Sequence, residues 1–476
     1  MKVTEEILKA KSVHIFAWPF RFETGKGKEL KKNIRKKGWR RKYLDVMNEE
    51  NTKQESIDCF MLHQYLSQSA REIFIKRETD ICRIYEYPLN IEKNYQYYIK
   101  KGDETYYLPI ATIELHLYDY GVGIVFIQVW NTNHNINQIK KINDYGRRVS
   151  APYLAEEGML CADCLGILID DLDKSTDFKT IVNEYIKQDQ AIPSVLLKPA
   201  EFLYDILNCN LEKRNGVNDI SVFPLADDRM FACSIIRDTE LSGKIKKGEV
   251  DEKQLYPILF VDYDDATCQN KEMRRKLFED AIYPRWSDYG TLYGATSYSL
   301  CCITTQDEGI NASVVRPFLI EYSYFISLVL AQRIGIMSFT VQAGNIIAGI
   351  GGKCKIIKRR KKKGMGYWQA AQLSQLQKQY IDFKNRLFIL EVSNQEQGIE
   401  IYKLLQKQML VQDEQEILDG KLQSLYEAAN INIGNRLAVI GIVLAAAALF
   451  PDLGTFLENV FFQVLRYIWS CIMQIL

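Results

Sequence analysis

Apolar residues recur at alternating steps of three and four over the last third of the chain. This spacing forms the a/d seam of a coiled coil, in which two glutamines are polar interruptions that weaken the seam and fix its register. Since no proline interrupts residues 366–450, the pattern predicts one long helix, with Gly398 and Gly420 as the places where it would bend or break. The seam positions are Ile401, Leu404, Gln408, Val411, Gln415, Leu418, Leu422, Leu425, Ala429 and Asn432.

Two apolar runs follow this seam. Residues 437–451 carry no charge, and residues 460–476 form a second apolar run that contains Arg466. Each run falls short of the ~20 residues that cross a bilayer, but the first reaches that length at Leu457 if Asp452 lies near a surface. The pair predicts a transmembrane hairpin over residues 436–476. Two alternatives stay open: a buried hairpin of a soluble protein, and a second run that lies along the membrane surface.

The first two thirds of the chain show strand-like patterns. Residues 12–22, 81–87, 95–99, 106–110, 113–118 and 123–130 are short β-rich runs that predict a mostly antiparallel sheet, with a hairpin turn at residues 101–103. Further strands are predicted at 223–236 and 256–263, and helices at 55–76, 136–148 and 318–348. The last of these is apolar but is interrupted by Glu321, Gln332 and Arg333, so we expect a packed helix rather than a membrane span.

These patterns predict an α+β cytoplasmic domain followed by a long helical stalk and a C-terminal two-helix transmembrane hairpin. The expected boundaries are residues 1–317 for the domain, 318–435 for the stalk with a basic loop at 353–364, and 436–476 for the hairpin. The composition, 47% hydrophobic and 25% charged over 476 residues, is that of a globular protein. With a net charge of +1, the chain as a whole does not attract nucleic acid electrostatically. Residues 1–11 lack the apolar core of a signal peptide, so we expect a cytoplasmic domain with free thiols.

One candidate ligand site lies at the end of the helix at residues 136–148. Tyr145, Arg147 and Arg148 can clamp a phosphate or stack on a base. Basic residues at a helix C-terminus also suit the helix dipole without any ligand. Both interpretations stay open.

A second candidate lies within residues 283–305. This stretch combines rings, a guanidinium and small hydroxyl residues, which suits a pocket for a planar, polar ligand. A well-packed strand and turn would contain the same residues. The candidate ligand residues here are Arg285, Trp286, Tyr289, Tyr293 and Ser297.

The sequence lacks the motifs of several kinds of enzyme site. Neither a GxxxxGK[ST] loop nor a GxGxxG helix opening is present, which excludes the common nucleotide hydrolases. Cys161 and Cys164 form a CxxC without a second pair at zinc spacing, so we predict no metal site. The enzyme alternative is a membrane-anchored, metal-dependent one, and its candidate ligands are Asp227, Asp228, Asp262 and Asp264. The basic stretch at residues 26–42 around Trp39 either binds phosphates or is a solvated surface.

In its order of parts the chain resembles the CorA-like membrane proteins over residues 367–476. That resemblance implies a homopentamer whose first spans line a pore for divalent cations. The Gly-Met-Asn loop of that family is absent, and residues 451–459 read PDLGTFLEN instead, which puts magnesium selectivity in doubt. The implied pore or mouth residues are Asn435, Asp452, Gly454 and Glu458.

Some CorA-like proteins are effectors in bacterial antiviral systems, including type III CRISPR loci, where a nucleotide second messenger acts on the soluble domain. The resemblance thus implies a ligand-gated, homo-oligomeric channel or pore-forming effector of the inner membrane, with lipid as a partner, no direct nucleic-acid partner and no enzymatic activity. The alternatives are a divergent divalent-cation transporter, the anchored enzyme, and a membrane-tethered scaffold.

Overall fold

The computed structural model describes residues 1–46, 52–77, 80–90, 92–150, 161–169, 172–181, 200–209, 222–224, 229–263, 266–348 and 367–449. The chain divides into two compact units, the first made of Met1–Phe339 and Tyr380–Glu416, the second of Thr340–Gln379 and Ile417–Leu476. A mixed α/β region comes first in the chain and a helical region follows it. This order agrees with the predicted sheet-bearing domain and helical C-terminal part.

The described residues form a sheet of thirteen strands in the first unit. Every strand pair is antiparallel except β10 with β13, so the predicted antiparallel character is confirmed. The strands are β1 (Ser12–Phe22), β2 (Arg40–Lys42), β3 (Cys82–Glu86), β4 (Tyr95–Lys101), β5 (Glu104–Tyr118), β6 (Val122–Asn131), β7 (Cys164–Ile169), β8 (Leu172–Asp177), β9 (Val222–Pro224), β10 (Phe231–Arg237), β11 (Ile282–Tyr283), β12 (Leu292–Ala295) and β13 (Ser299–Thr304).

The sheet runs in the order β11-β12-β13-β10-β1-β6-β5-β4-β7-β8, with β9 also paired to β1, β3 also paired to β5, and β2 paired to β3. Strand β1 is central and buried along almost its whole length, which explains its unbroken apolar sequence. Strand β5 pairs with β4 through Glu104–Pro109 and with β6 from Ile110 onward, with a register shift between Ile110 and Thr112. This shift is a bulge that bends the strand, so two strands predicted at 106–110 and 113–118 are one.

Helices cover the sheet and make up the C-terminal part. Helix α5 packs beside β1, and α10 lies against β5, where the Ser327 hydroxyl is 2.8 Å from His116 Nδ1 and 2.7 Å from the Tyr118 hydroxyl. The helices are α1 (Glu5–Lys9), α2 (Gly27–Lys36), α3 (Lys53–Tyr65), α4 (Gln68–Phe74), α5 (Ile136–Arg147), α6 (Glu201–Leu207), α7 (Thr239–Lys247), α8 (Glu252–Leu259), α9 (Lys271–Ala281), α10 (Arg316–Ile347), α11 (Tyr367–Leu387), α12 (Glu396–Gln408) and α13 (Val411–Leu449).

Two further predictions of element type or number are wrong. Residues 256–263 were expected to be a strand, but most of them belong to helix α8, which Asp251 caps through the Lys253 amide. A short apolar run fits a buried strand and a buried helix equally well, so the pattern did not discriminate. Residues 55–76 form two helices instead of one, because Leu66 bridges to Ser393 and Ser67 caps α4.

The single long helix predicted beyond residue 366 is also wrong. The chain leaves helical geometry after Leu387 and again between α12 and α13, where Leu410 has a φ of 53°. Gly398 and Gly420, the predicted break points, lie inside α12 and α13. Of the predicted seam, Ile401, Val411, Leu418 and Leu422 are buried.

Among the described residues, one helix, Glu308–Ile347, is long and apolar enough to cross a membrane, and 78% of its apolar window is buried inside the protein. That burial agrees with the packed helix predicted for residues 318–348. The first apolar run of the predicted hairpin continues α13 up to Leu449. The rest of the hairpin, residues 450–476, and the basic loop at 353–364 lie outside the described residues.

Candidate anion-binding site

The end of helix α5 is fixed tightly against the sheet. The helix begins at a capping box between Asn135 and Gln138, and its apolar face is buried. Gly146 lets the last turn approach β1 closely, because a Cβ there would lie 2.7 Å from the Phe16 ring. The Tyr97 hydroxyl donates a hydrogen bond of 2.7 Å to the Gly146 carbonyl. These contacts determine where Arg147 and Arg148 are placed.

Arg147 is buried, with 1% of its surface exposed, and its guanidinium has few partners. Its Nη2 lies 3.5 Å from Asp144 Oδ1 and 3.4 Å from the Val261 carbonyl, both long for hydrogen bonds. The guanidinium stands 4.7 Å from the centre of the Tyr298 ring. Its Nε and Nη1 atoms are buried without a hydrogen-bond partner among the described residues. A buried charged donor without an acceptor is costly, so this arrangement favours an added acceptor.

Two further arginines surround this group. Arg148 donates from Nε to Asp144 Oδ1 at 3.0 Å, so both helix-terminal arginines share one buried carboxylate. Arg229 faces the same Tyr298 ring, 5.7 Å from its centre, and its backbone forms a β-bridge with that of Arg148. Arg147, Arg148, Arg229, Asp144 and Tyr298 are called the Arg147 cluster below.

The pKa shifts follow from this crowding of positive charge. Burial lowers the pKa of Arg147; Asp144 opposes that effect, and the positive charges of Arg229 and Arg148 add to it. Burial also raises the pKa of Asp144, against the influence of the two arginines beside it. An anion at the Arg147 cluster would relieve the repulsion between the guanidinium groups and accept from the unpaired nitrogens.

Aromatic rings adjoin the cluster. The rings of Tyr145 and Tyr263 lie 4.9 Å apart, and the Lys101 ammonium is 5.8 Å from the Tyr145 ring. Tyr145 is buried, at 4% exposed, so its ring packs inside the protein. The cluster therefore offers unpaired guanidinium donors for an oxyanion, and stacking of these rings on a base stays a prediction.

No family model, curated protein or solved structure matches this chain. The functional assignment therefore depends on the geometry of its own residues.

The residues of the second predicted ligand site, within residues 283–305, make different kinds of contact. Arg285 forms ion pairs of 2.8 Å with Glu396 and 2.6 Å with Glu400, both on α12. Trp286 donates from its indole to Gln397 on the same helix at 2.7 Å. Tyr289 is 74% exposed, whereas Tyr293 is buried. Arg285 and Trp286 thus attach helix α12 to the sheet domain, and ligand binding by these residues stays a prediction.

Ser297 precedes Tyr298 of the Arg147 cluster in the chain, and ligand binding by Ser297 stays a prediction. Its neighbour Tyr298 carries the ring beneath Arg147, and the Ser297 carbonyl accepts a hydrogen bond of 3.0 Å from Arg333 on α10. Arg229 was not predicted as a site residue, and Tyr298, which lies in the second candidate stretch, was not predicted beside Arg147, because both approach α5 only through the folding of distant segments. No spacing in the sequence signals that approach.

The remaining predicted residues are placed as follows. Asn435 belongs to α13, whereas Asp452, Gly454 and Glu458 lie outside the described residues. Of the acids in the enzyme alternative, Asp262 accepts from the Thr267 hydroxyl at 2.8 Å, and the others, Asp227, Asp228 and Asp264, are outside the described residues. Within the described part of the chain, no group of histidine, cysteine, aspartate or glutamate residues is arranged to hold a metal ion.

Proposed function

We propose that the chain is a homo-oligomeric, CorA-like membrane channel or pore-forming effector, gated by an anionic ligand at the Arg147 cluster. The observation that carries this proposal is the exposed apolar end of α13. Leu437, Val439, Ile440, Ile442 and Leu444 are 63%, 60%, 52%, 68% and 48% exposed. At about 100° per residue, these side chains point to most sides of the helix. Water is a poor solvent for such a segment, whereas hydrocarbon or a second copy of the chain covers it favourably.

In this proposal residues 436–476 form a transmembrane hairpin of the inner membrane, and the sheet domain lies in the cytoplasm. Copies of the chain bring Asp452 and Glu458 together as acidic rings at the outer mouth. Rings of carboxylates attract cations, so the permeant ion is a cation, with a divalent one expected from the family resemblance. Arg466 lies in the second run and pairs with Glu458 or faces a subunit interface.

The proposed ligand is a nucleotide second messenger. Its phosphate accepts hydrogen bonds from Arg147, and its base lies against a tyrosine ring of the site. A desolvated guanidinium binds a phosphate more strongly than an exposed one, because water competes less for the donors. Such a ligand suits a role in antiviral defence, as in the effectors that the chain resembles.

Contacts within the first unit lead from the ligand site to Arg333, whose charge acts on Glu414 at the start of α13. The Tyr298 ring lies beneath Arg147, and the adjoining Ser297 carbonyl accepts from Arg333. Burial raises the pKa of Glu414, in the first turn of α13, and the nearby Arg333 charge opposes this rise. Arg333 Nε and Glu414 Oε2 are both buried without a hydrogen-bond partner. A closer ion pair between these two residues would transmit ligand binding to the helix that ends in the apolar stretch.

Reconstitution into liposomes tests the proposal. Cyclic di-AMP and cyclic tetra-adenylate serve as probe ligands, and release of an entrapped cation is the readout. We expect ligand-dependent release that is lost in Arg147→Met and kept in Arg275→Met, a control on the exposed face of α9. Mass determination of the detergent-solubilised particle should give an oligomer.

Other outcomes would contradict the channel. A monomeric particle would contradict the oligomeric pore. An oligomer that does not conduct ions would favour the membrane-tethered scaffold. Metal-dependent turnover of a nucleotide without conductance favours the anchored enzyme. Conductance that ignores every nucleotide favours a cation transporter.

A further inference from the structure

Helix α2 carries its positive charge on one side. Its cationic residues follow one another in alternating steps of three and one, so they lie on one face of the helix over about 12 Å of its length. They line one open depression of about 520 Å³ on the protein surface. These residues are Lys28, Lys31, Lys32, Arg35 and Lys36, and they are called the α2 basic face below.

This face has an excess of positive charge. None of its residues forms an ion pair with a carboxylate in the part of the chain that the structure describes. Glu29, the one carboxylate of α2, lies at the edge of the face, and its Oε2 atom is buried. Glu29 therefore offsets at most one of the positive charges.

The acids near this face already have cationic partners outside it. Asp80 accepts from Arg41 at 2.7 Å and from Arg83 at 2.9 Å, and Asp119 pairs with Arg83. These groups act on Lys31 of the basic face. Burial lowers the pKa of Lys31, the two arginines lower it further, and the two aspartates oppose them. The surroundings of Lys31 therefore do not neutralise its charge.

The arrangement is unfavourable for the helix itself. Like charges three or four positions apart repel on a helix surface, as do Lys28 and Lys32, and Lys32 and Lys36. Burial of Leu30 and Ile34, on the opposite side, holds the helix in place instead. A layer of negative charge against the basic face would replace this repulsion by attraction.

The shape of the face fits a flat partner better than an enclosed small molecule. Every described residue that lines the depression belongs to α2, so no second described element closes over a ligand there. The apolar side of the helix is buried, so the helix meets a partner through charge alone. A membrane surface offers closely spaced phosphates in one plane, and clusters of about four to eight lysines and arginines on an amphipathic helix are typical of its binding.

Nucleic acid fits the face less well. Proteins bind single strands with exposed aromatic side chains, whereas Trp39, which follows the helix, is 3% exposed. Domains that bind nucleic acid are usually basic as a whole, whereas the net charge of this chain is +1. These observations favour lipid headgroups as the source of phosphate.

We propose that the α2 basic face binds the anionic phospholipid headgroups of a membrane surface. Its ammonium and guanidinium groups donate to phosphate oxygens, and no part of the helix enters the hydrocarbon. The proposal does not depend on the channel function, because it uses neither the Arg147 cluster nor the apolar end of α13. Contacts of this kind are reversible, so they are measured at equilibrium rather than by flotation.

Lysine labelling in lipid nanodiscs tests this contact. The full-length chain is combined with discs of phosphatidylcholine, or of phosphatidylcholine and phosphatidylglycerol in equal parts. Its lysines are acetylated with a water-soluble ester and quantified by mass spectrometry. Labelling of Lys28, Lys32 and Lys36 should fall at least about fivefold in the anionic discs, because cations that each gain about a factor of five keep most of the chain bound.

Two comparisons control this measurement. The protection should disappear at about 1 M salt, where the Debye length is about 3 Å. Lys246 and Lys247, which are exposed on α7, should label equally in the two kinds of disc.

Two matched variants locate the contact. Lys32→Gln with Arg35→Gln removes two charges from the centre of the face, and should weaken binding about 25-fold and restore labelling of the remaining lysines. Lys246→Gln with Lys247→Gln removes the same charge from α7 and should leave the protection intact. All four positions are exposed, so both variants should fold, and thermal unfolding checks this.

Several results would overturn the proposal. One is equal labelling of the basic face in the two kinds of disc, and another is protection that survives Lys32→Gln with Arg35→Gln. Protection by duplex DNA or by pyrophosphate, without protection by anionic discs, would assign the face to nucleic acid or to a free phosphate compound instead. The comparison uses the same lysines in both lipids, so it holds whether or not residues 436–476 insert into the disc.

Discussion

At the scale of single residues, Glu321 on α10 is a carboxyl group held away from water. It is 5% exposed, and its Oε2 has no hydrogen-bond partner among the described residues. Burial, with a smaller contribution from the charge of Asp58, raises its pKa from 4.5 to about 8. The folded state therefore keeps a proton at neutral pH that the unfolded chain has lost. Glu321 supports folding fully below about pH 4.5, and this support is lost as the pH rises through about 8.

Glu321→Gln should remove this pH dependence. We expect the free energy of unfolding of the wild type to fall relative to the variant between about pH 5 and pH 8, by up to about 1.4 kcal/mol per pH unit. Denaturant titration at several pH values measures it. Glu272→Gln, at a side chain 70% exposed on α9, is the control and should follow the wild type. A wild type and Glu321→Gln with parallel pH profiles would show that Glu321 titrates normally.

Arg147 gives a second prediction at this scale. Its buried Nε and Nη1 lack partners, so in the absence of ligand Arg147→Met should leave the free energy of unfolding unchanged or raise it by about 1–3 kcal/mol. The same variant should lose nucleotide binding. Thermal or denaturant unfolding with and without cyclic di-AMP or cyclic tetra-adenylate separates the two effects. A large loss of stability without ligand would instead make Arg147 a structural residue.

At the scale of elements, the sheet was predictable where sequence pattern and burial coincide. Strand β1 matches its predicted bounds because almost every side chain of this central strand is buried. Helix α5 was recognisable from its basic C-terminal end, where cations suit the helix dipole. Helix α8, which Asp251 caps, was missed because its apolar run is as short as a strand. A buried strand and a buried helix have the same apolar sequence pattern at this length, so the local sequence does not distinguish them.

The crossing of α10 and α11 depends on a glycine. A Cβ at Gly335 would overlap the ring of Phe383, so only glycine allows the two helices to approach this closely. Gly335→Ala should lower the free energy of unfolding by about 1–3 kcal/mol, measured by denaturant titration. Gly243→Ala on α7, where nothing lies within 4 Å of the added atom, should instead stabilise by about 0.5–1 kcal/mol. Equal effects of the two substitutions would mean that the crossing tolerates a methyl group.

At the scale of the whole molecule, the proposed membrane location depends on the exposed apolar end of α13. The double variant Leu437→Lys, Ile440→Lys places two charges in the proposed span, at about 2.5–3.5 kcal/mol each near the bilayer centre. We expect it to lose flotation with liposomes, which the wild type should show. Ile57→Lys, at an apolar residue 46% exposed on α3, is the control and should float as the wild type does. Flotation that survives the double variant would mean that another part of the chain holds the membrane.

The sequence by itself determined the strand-rich first part, the helical end and the uncharged run that begins at Leu437. These features follow from periodicity and composition, which the chain carries locally. Only the tertiary structure placed Tyr298 and Arg229 beside Arg147, and Lys42 beside Glu114. The reason is physical: burial and unpaired charge depend on which distant segments meet, and no spacing along the chain encodes that meeting.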